Sequence, residues 1–183
     1  MTEQEVKLRF ATVEAARQAV MATGSRLVVS RRMLDDRLFD FSDGRLRLMG
    51  VTLRVRRDAD RAYMTLKGPV QPGPVKSREE WETLVGSAAT VEAALGFAGF
   101  QVMFRSQKYR EEYDLDGAHL AIDETPFGVF VEIEAGSPEA IEHVSARLGR
   151  TPADYSLVSY PTLWRQWREA QGLPPADMLF DKV

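Results

Sequence analysis

The chain has 183 residues, of which 44% are hydrophobic and 28% are charged, and its formal net charge is −3. This length and apolar content suit one globular domain with a closed core. We predict a single domain over residues 1–183, with a core at about 1–171 and a C-terminal tail at 172–183. The small negative net charge argues against nucleic acid or an anionic membrane as a partner.

The scarcity of Cys and His narrows the chemistry further. The chain has no Cys, which excludes disulfides, thiolate zinc sites and a Cys nucleophile. With only His119 and His143, a Ser-His-Asp triad or a multi-His metal site is disfavoured. There is no run of about 18 apolar residues and no signal-peptide pattern, so we expect a cytoplasmic protein. Any catalysis must therefore use carboxylates, Lys, Arg and a hard cation.

Hydrophobic periodicity and turn residues predict a chain that alternates strands with a few helices. Thr12 and Ser87 are expected to cap two of the helices, and Pro138 to occupy the first position of a third. Strands are predicted at residues 3–10, 26–41, 52–57, 61–68, 77–85, 100–115, 118–125 and 129–135, and helices at 12–23, 87–98, 137–147 and 160–171.

Charged residues recur on one face of most of these strands. On the first strand, Val6 and Leu8 point one way while Glu5 and Lys7 point the other, because side chains alternate with a period of two. The same pattern places Trp81, Tyr109 and Tyr113 on apolar faces, where we expect them in the core beneath helices. The charged faces carry Glu3, Glu5 and Lys7, then Arg54 and Arg56, Lys67, Arg78 with Glu80 and Glu82, Lys108 with Arg110, Asp123, and Glu132 with Glu134.

Two interpretations of this face remain open from the pattern alone. It can be the solvent face of an antiparallel sheet. It can also line the inside of a closed barrel, which has no exposed strand edges. In the second case acids and bases share one lumen, which is costly unless they pair with each other or bind ions.

The order of short motifs resembles the CYTH, or triphosphate tunnel metalloenzyme, superfamily. The first motif, Glu3-x-Glu5-x-Lys7, is similar to the ExExK signature of that family. The similarity continues to about Leu163, and its further motifs are Phe39-Asp40, Leu53-Arg54-Val55-Arg56, Leu66-Lys67-Gly68, Arg78-x-Glu80-x-Glu82, Lys108-x-Arg110, Ile122-Asp123-Glu124, Gly128-x-Phe130-x-Glu132-Ile133-Glu134 and Ser159-Tyr160. The resemblance implies an α+β fold, an eight-stranded antiparallel closed β-barrel with a charged lumen and helices packed outside.

The resemblance also implies a triphosphate substrate and Mg²⁺ or Mn²⁺ as cofactor. Arg presents a planar fork to phosphate oxygens and Lys a mobile point charge, while hard cations prefer oxygen ligands. The implied substrate-binding residues are Lys7, Arg54, Arg56, Lys67, Arg78, Lys108 and Arg110. The implied metal ligands are Glu3, Glu5, Asp123, Glu132 and Glu134. The implied catalytic residues are Lys67, Glu80, Glu82 and Arg110.

Three functions fit these residues. The first is metal-dependent hydrolysis of tripolyphosphate or an organic triphosphate such as thiamine triphosphate. The second is a class IV-type adenylate cyclase that converts ATP to cyclic AMP and pyrophosphate. The third is a non-catalytic protein that binds polyphosphate or phosphorylated ligands. No nucleic-acid or membrane partner is expected, and the sequence leaves a homodimer open.

Overall fold

The computed structural model describes residues 2–181. A short 3-10 helix, Pro152–Asp154, accompanies five α-helices in this part of the chain. The strands are β1 (Thr2–Phe10), β2 (Arg26–Asp40), β3 (Thr52–Asp58), β4 (Arg61–Lys67), β5 (Lys76–Val85), β6 (Gln101–Leu115), β7 (Ala118–Thr125), β8 (Gly128–Glu134) and β9 (Tyr155–Ser156). The helices are α1 (Val13–Ala22), α2 (Arg45–Leu48), α3 (Ala88–Phe97), α4 (Pro138–Arg147) and α5 (Tyr160–Ala170).

Eight antiparallel strands form a closed barrel, as the sequence predicts. The strands follow the order β5-β4-β3-β2-β6-β7-β8-β1, and pairing between β1 and β5 closes the ring. The two-residue strand β9, which the sequence analysis missed, pairs with Lys7 and Leu8 of β1 outside this ring. Closure removes the free edges that an open sheet of this size would expose.

The apolar faces of β1, β7 and β8 form the largest core, outside the barrel. Val6, Leu8 and Ile133 are fully buried there. Helices α1 and α4 cover this face, and α1 contributes the fully buried Val20. The helix begins after Thr12, whose hydroxyl accepts a hydrogen bond from the Ala15 amide at 3.1 Å, as expected of an N-cap. This core turns the charged faces of the same strands toward the lumen.

A second, smaller core lies between β3 and the helices α2 and α3. It contains Phe39 and Val55, while Tyr113 belongs to the first core at 3% exposure, as predicted. The prediction for Trp81 is wrong, because its side chain is 53% exposed. Helix α3 packs against β3 and leaves the outer face of β5 around Trp81 uncovered.

Helix α5 and the segment after it form a third cluster at the barrel wall. Tyr160, Trp164 and Met178 pack there with Phe127 and Phe130 of the β7–β8 region. The backbone of Met178 pairs with β6, donating to the Arg105 carbonyl and accepting from the Gln107 amide. The part of the predicted tail that lies within residues 172–181 therefore packs on the barrel. No helix within residues 2–181 is long and apolar enough to cross a membrane.

Candidate active site

The lumen contains a cavity of about 380 Å³ whose wall is dominated by charged side chains. The strand alternation that buries the outer cores also points these side chains inward. Nine cationic side chains line it: Lys7, Arg32, Arg54, Arg56, Lys67, Lys76, Arg78, Lys108 and Arg110. Nine acidic side chains line it as well: Glu3, Glu5, Asp36, Asp58, Glu80, Glu82, Glu112, Glu132 and Glu134. The net charge of the cavity wall is thus close to zero, although positive and negative side chains are densely packed there.

The glutamates of β1 hold cations from three strands. The Lys67 ammonium donates to Glu3 at 2.6 Å and lies 2.9 Å from Glu80. The Arg78 guanidinium donates to the other oxygen of Glu3 at 3.2 Å. Because β1 and β5 pair in antiparallel register, Glu3 lies directly opposite Arg78. These contacts preorganise a lysine and an arginine around one carboxylate.

Glu5 joins two lysines in the next layer of the barrel. Its Oε1 atom accepts from the Lys7 ammonium at 3.0 Å and from the Lys76 ammonium. Burial alone would raise the pKa of Glu5, but the charges of Lys7, Lys76 and Lys67 together hold that pKa well below its usual range. Burial and the neighbouring Lys7 lower the pKa of Lys76 to about 8. Lys76 is thus a buried cation whose charge is sensitive to pH just above neutrality.

Asp123 organises a second group of cations from behind the cavity wall. It is fully buried, and its oxygens accept hydrogen bonds from Lys108 at 2.7 Å and from two nitrogens of Arg110 at 2.7 and 2.6 Å. Arg110 also bridges to Glu132, and Lys7 lies 3.3 Å from the same glutamate. Burial, with Arg110 next, lowers the pKa of Lys108 to about 8. Asp123 itself is absent from the cavity lining.

The arginines of β3 complete the cationic wall. Arg56 forms a two-point ion pair with Asp36, with distances of 2.7 and 2.8 Å. Arg54 lies beside it and donates to Glu82 at 3.2 Å. The Thr65 hydroxyl donates to the same oxygen of Glu82 at 2.7 Å. Both guanidinium groups are therefore fixed in orientation before any ligand binds.

Glu134 differs from the other cavity acids. Its residue is exposed at the end of β8, and no salt bridge to it occurs among residues 2–181. Poor hydration of the carboxylate and the nearby charge of Glu3 raise its pKa to about 7. In the β1–β8 register it lies opposite Glu5. Negative charge is therefore in local excess where Glu3, Glu5 and Glu134 meet the cavity.

These carboxylates fit a hard divalent cation by the chemistry of their donors. Mg²⁺ and Mn²⁺ take oxygen ligands and retain bound water, and Glu134 offers two carboxylate oxygens that form no salt bridge among residues 2–181. Within residues 2–181, however, no three acidic or His residues are already grouped in the manner of a metal site. A bound cation would therefore have to take Glu3 or Glu5 from its lysine partners.

The structure brings the predicted site residues together in one cavity, with Asp123 as the member that lies behind the wall. Five charged residues that were not among the predicted site residues also line it: Arg32, Asp36, Asp58, Lys76 and Glu112. Lys76 continues the alternation of Arg78, Glu80 and Glu82, so extending that strand by one residue would have found it. Ser159, Tyr160 and Pro161 at the start of α5 also contribute to the wall, and the Ser159-Tyr160 motif is the sequence signal that marks this position.

A scan of protein families matches residues 1–151 to the CYTH domain. The chain belongs to the CYTH domain family. A Methanocaldococcus jannaschii protein named "putative adenylate cyclase" is 24% identical over 135 residues, which cover 73% of this chain and 77% of that protein. The family assignment agrees with the resemblance drawn from the motifs.

Solved structures share the same fold at low sequence identity. A "putative adenylate cyclase" from Vibrio parahaemolyticus has a TM-score of 0.79 and 19% identity, over 90% of this chain and 98% of that chain. A Pyrococcus horikoshii protein has a TM-score of 0.74 and 23% identity, over 86% of this chain and 96% of that chain. A Hippeastrum protein has a TM-score of 0.70 and 18% identity, over 90% of this chain and 96% of that chain.

Proposed function

We propose that this CYTH protein is a divalent-metal-dependent enzyme that hydrolyses a triphosphate. The substrate is inorganic tripolyphosphate or an organic triphosphate such as thiamine triphosphate. One observation carries the proposal: a cavity inside the barrel is lined by nine cationic side chains whose positions are fixed by carboxylates. Phosphoryl transfer depends mainly on positioning and on neutralising charge, and this wall supplies both.

The phosphates would bind the cations that face the cavity. Arg54, Arg56 and Arg110 offer planar forks that match pairs of phosphate oxygens, and their guanidinium groups are already oriented. The lysines act as point charges that can follow the ligand. The proposed substrate-binding set is Lys7, Arg54, Arg56, Lys67, Arg78, Lys108 and Arg110, and we add Lys76 because it also lines the cavity.

A divalent cation would be held by Glu3, Glu5, Glu132 and Glu134. When bound, it supplies charge neutralisation on the phosphate oxygens. Among these ligands Glu134 ionises last, because its pKa is raised to about 7 by poor hydration and by Glu3. Metal affinity should therefore increase as the pH rises through neutrality. The resemblance implies Asp123 as a further metal ligand, but its oxygens already accept hydrogen bonds from Lys108 and Arg110.

Two carboxylates of β5 are suited to orient the attacking water. Burial, only partly opposed by Lys67, raises the pKa of Glu80, which makes this carboxylate a better proton acceptor near neutral pH. Glu82 is held in place by Thr65 and Arg54. Lys67 and Arg110 would stabilise the negative charge that develops during transfer, since each faces the cavity from a different side of the barrel.

Adenylate cyclase activity is the competing function. The M. jannaschii and V. parahaemolyticus relatives carry that activity in their names. The Hippeastrum protein, named as an adenylyl cyclase, is described as having a dominant triphosphatase activity. The same cations could hold the triphosphate of ATP for either reaction. Among residues 2–181, however, we identify no side chain of the cavity wall as a binding site for adenine. We therefore favour hydrolysis.

One assay separates the alternatives. Purified protein is incubated with Mg²⁺ or Mn²⁺ and, separately, with tripolyphosphate, thiamine triphosphate and ATP. Release of orthophosphate is expected, whereas cyclic AMP with pyrophosphate would instead identify a cyclase. Binding without turnover would identify a non-catalytic binding protein. A variant with Glu132→Gln and Glu134→Gln should lose metal-dependent turnover, and full retention would refute the ligand assignment.

A further inference from the structure

The last helix places a tyrosine against the cations of the cavity. Tyr160 is the first residue of α5, lies outside the 151 residues matched by the family, and is 9% exposed. Its hydroxyl donates to Asp123 at 2.7 Å. Its ring centroid lies 4.7 Å from the Lys108 ammonium and 5.2 Å from that of Lys7. One side chain thus contacts three members of the charged network.

The hydroxyl of Tyr160 shares its acceptor with two cavity cations. The same oxygen of Asp123 accepts from Lys108 at 2.7 Å and from Arg110 at 2.6 Å. Asp123 is fully buried, so no water is at hand to replace a lost donor. A buried tyrosine hydroxyl always needs a partner, but here the partner is the carboxylate that sets the positions of Lys108 and Arg110. Any shift of Tyr160 is therefore transmitted to both cations.

The C-terminal segment holds α5 in this position. The Trp164 indole donates to the Ala176 carbonyl at 2.7 Å, which ties the helix to the chain that follows it. Met178 is 1% exposed, and its backbone makes two hydrogen bonds to β6, the strand that carries Lys108 and Arg110. The segment after α5 thus connects this helix to β6, and Tyr160 of the same helix lies against Lys108 of that strand.

We propose that residues 155–181 complete the phosphate site, with Tyr160 as a positioning residue. Through Asp123, Tyr160 fixes Lys108 and Arg110 in the geometry that receives phosphate oxygens. This inference rests on the proposed function in one respect, that these two cations bind phosphate. It assigns a role in the site to a segment that follows the matched family domain.

The test compares two substitutions that each remove one buried tyrosine hydroxyl. Tyr160→Phe removes the donor to Asp123. Tyr113→Phe is the matched control, because Tyr113 is 3% exposed and its hydroxyl donates to Glu111 at 2.9 Å on the outside of the barrel. Calorimetric titration measures the binding of tripolyphosphate in metal-free buffer and again with Mg²⁺. Urea unfolding measures the stability of both variants.

The expected result is a roughly tenfold weaker affinity for tripolyphosphate in Tyr160→Phe, since a hydrogen bond to a charged group is lost. Tyr113→Phe should bind like the wild type while losing comparable stability. Trp164→Phe, which loses the hydrogen bond to the Ala176 carbonyl and part of the ring packing on Phe127 and Trp167, should weaken binding by a smaller factor of about two to five. Affinity within twofold of wild type in Tyr160→Phe would overturn the inference.

Failure of the proposed function would look different. A wild-type protein that binds tripolyphosphate without releasing orthophosphate contradicts the proposed hydrolysis, and the binding comparison still decides the role of Tyr160. A wild-type protein that binds no tripolyphosphate would overturn both. An equal loss of affinity in Tyr160→Phe and Tyr113→Phe would reduce the effect to general destabilisation and would also overturn the inference.

Discussion

Glu134 offers the sharpest test of charge balance in the cavity, because its carboxylate lies near Glu3 and Glu5 without a salt bridge of its own among residues 2–181. Poor hydration and the charge of Glu3 raise its pKa from 4.5 to about 7 in the folded protein. The folded state therefore binds a proton more tightly than the unfolded state does. The resulting destabilisation is absent below about pH 4.5 and complete above about pH 7.

The size of this effect follows from the pKa difference. Moving a pKa from 4.5 to about 7 would cost the folded protein roughly 3 kcal/mol at high pH if no screening occurred. Glu134 is exposed, so solvent screening reduces the cost to about 1 kcal/mol. Glu134→Gln should thus stabilise the protein by about 1 kcal/mol at pH 8, or about 2 to 4 °C in Tm, and have little effect at pH 4.5.

Thermal unfolding at several pH values between 4.5 and 8 measures this difference. Glu79→Gln is the control, since Glu79 is exposed on the outer face of β5, which β1 separates from β8 in the barrel. Added Mg²⁺ should stabilise the wild type more than Glu134→Gln at pH 8, because a bound cation relieves the excess of negative charge. A stability difference that does not change with pH, or equal stabilisation of both proteins by Mg²⁺, would refute the reasoning.

Three further predictions concern the rest of the network. Asp36→Asn should lower the free energy of unfolding by about 3 kcal/mol at pH 7, because it breaks the buried ion pair with Arg56. Since Arg56 holds the pKa of Asp36 low in the folded protein despite burial, this loss should become smaller as the pH falls below about 4. Urea unfolding at pH 7 and below pH 4 checks the prediction. Lys76→Met should weaken tripolyphosphate binding roughly tenfold at pH 7, with little loss of stability because Glu5 retains its ion pair with Lys7. The difference in affinity from the wild type should become smaller above pH 8, where Lys76 loses its charge. Equal affinities of the two proteins at pH 7, measured by titration calorimetry, would contradict this. Chelation by EDTA should abolish turnover, and added Mg²⁺ or Mn²⁺ should restore it; phosphate release that persists in EDTA would rule out the metal requirement.

Alternation along the strands predicts which side chains share a face, and the family resemblance, not the alternation, implies that this face lines a closed barrel. On β1, Val6 and Leu8 are fully buried in the outer core while Glu5 and Lys7 line the cavity, so a shift of one residue would exchange the two environments. Glu132 on β8 follows the same rule. The matching pattern on several strands predicts one shared charged face, and the structure places that face toward the cavity.

Strand β2 shows why other site residues were missed. Its pairing with β6 shifts register near Leu27, Val29 and Leu38, which indicates bulges or irregular geometry. These shifts lie on either side of residues 32–38, where the pairing is regular, so the even spacing of Arg32 and Asp36 puts both on one side of the strand. The apolar Leu34 lies on that same side and the charged Asp35 on the other, so the pattern does not show which side faces the cavity. Pairing of Asp36 with Arg56 depends on contact between strands, and sequence spacing carries no information about that distance.

Asp40 illustrates a different limit of motif matching. It belongs to a motif shared with the family, yet the structure places it outside the cavity lining. Its carboxylate accepts hydrogen bonds from the backbone amides of Phe41, Leu46 and Arg47, at 2.7 to 3.0 Å. It therefore stabilises the connection that contains α2, a four-residue helix that the sequence analysis missed. Asp40 therefore supports the local fold and does not line the cavity.

The near-neutral cavity has a direct consequence for binding. Its cations are already paired with carboxylates, so phosphates gain little unless those carboxylates find new partners. A triphosphate carries about four negative charges, and divalent cations supply the positive charge that keeps the filled cavity balanced. If a cation takes Glu3 and Glu5 from Lys67, Lys7 and Lys76, those lysines become free for phosphate. Triphosphate and metal should therefore bind more tightly together than either binds alone, because each removes the partner that the other must displace.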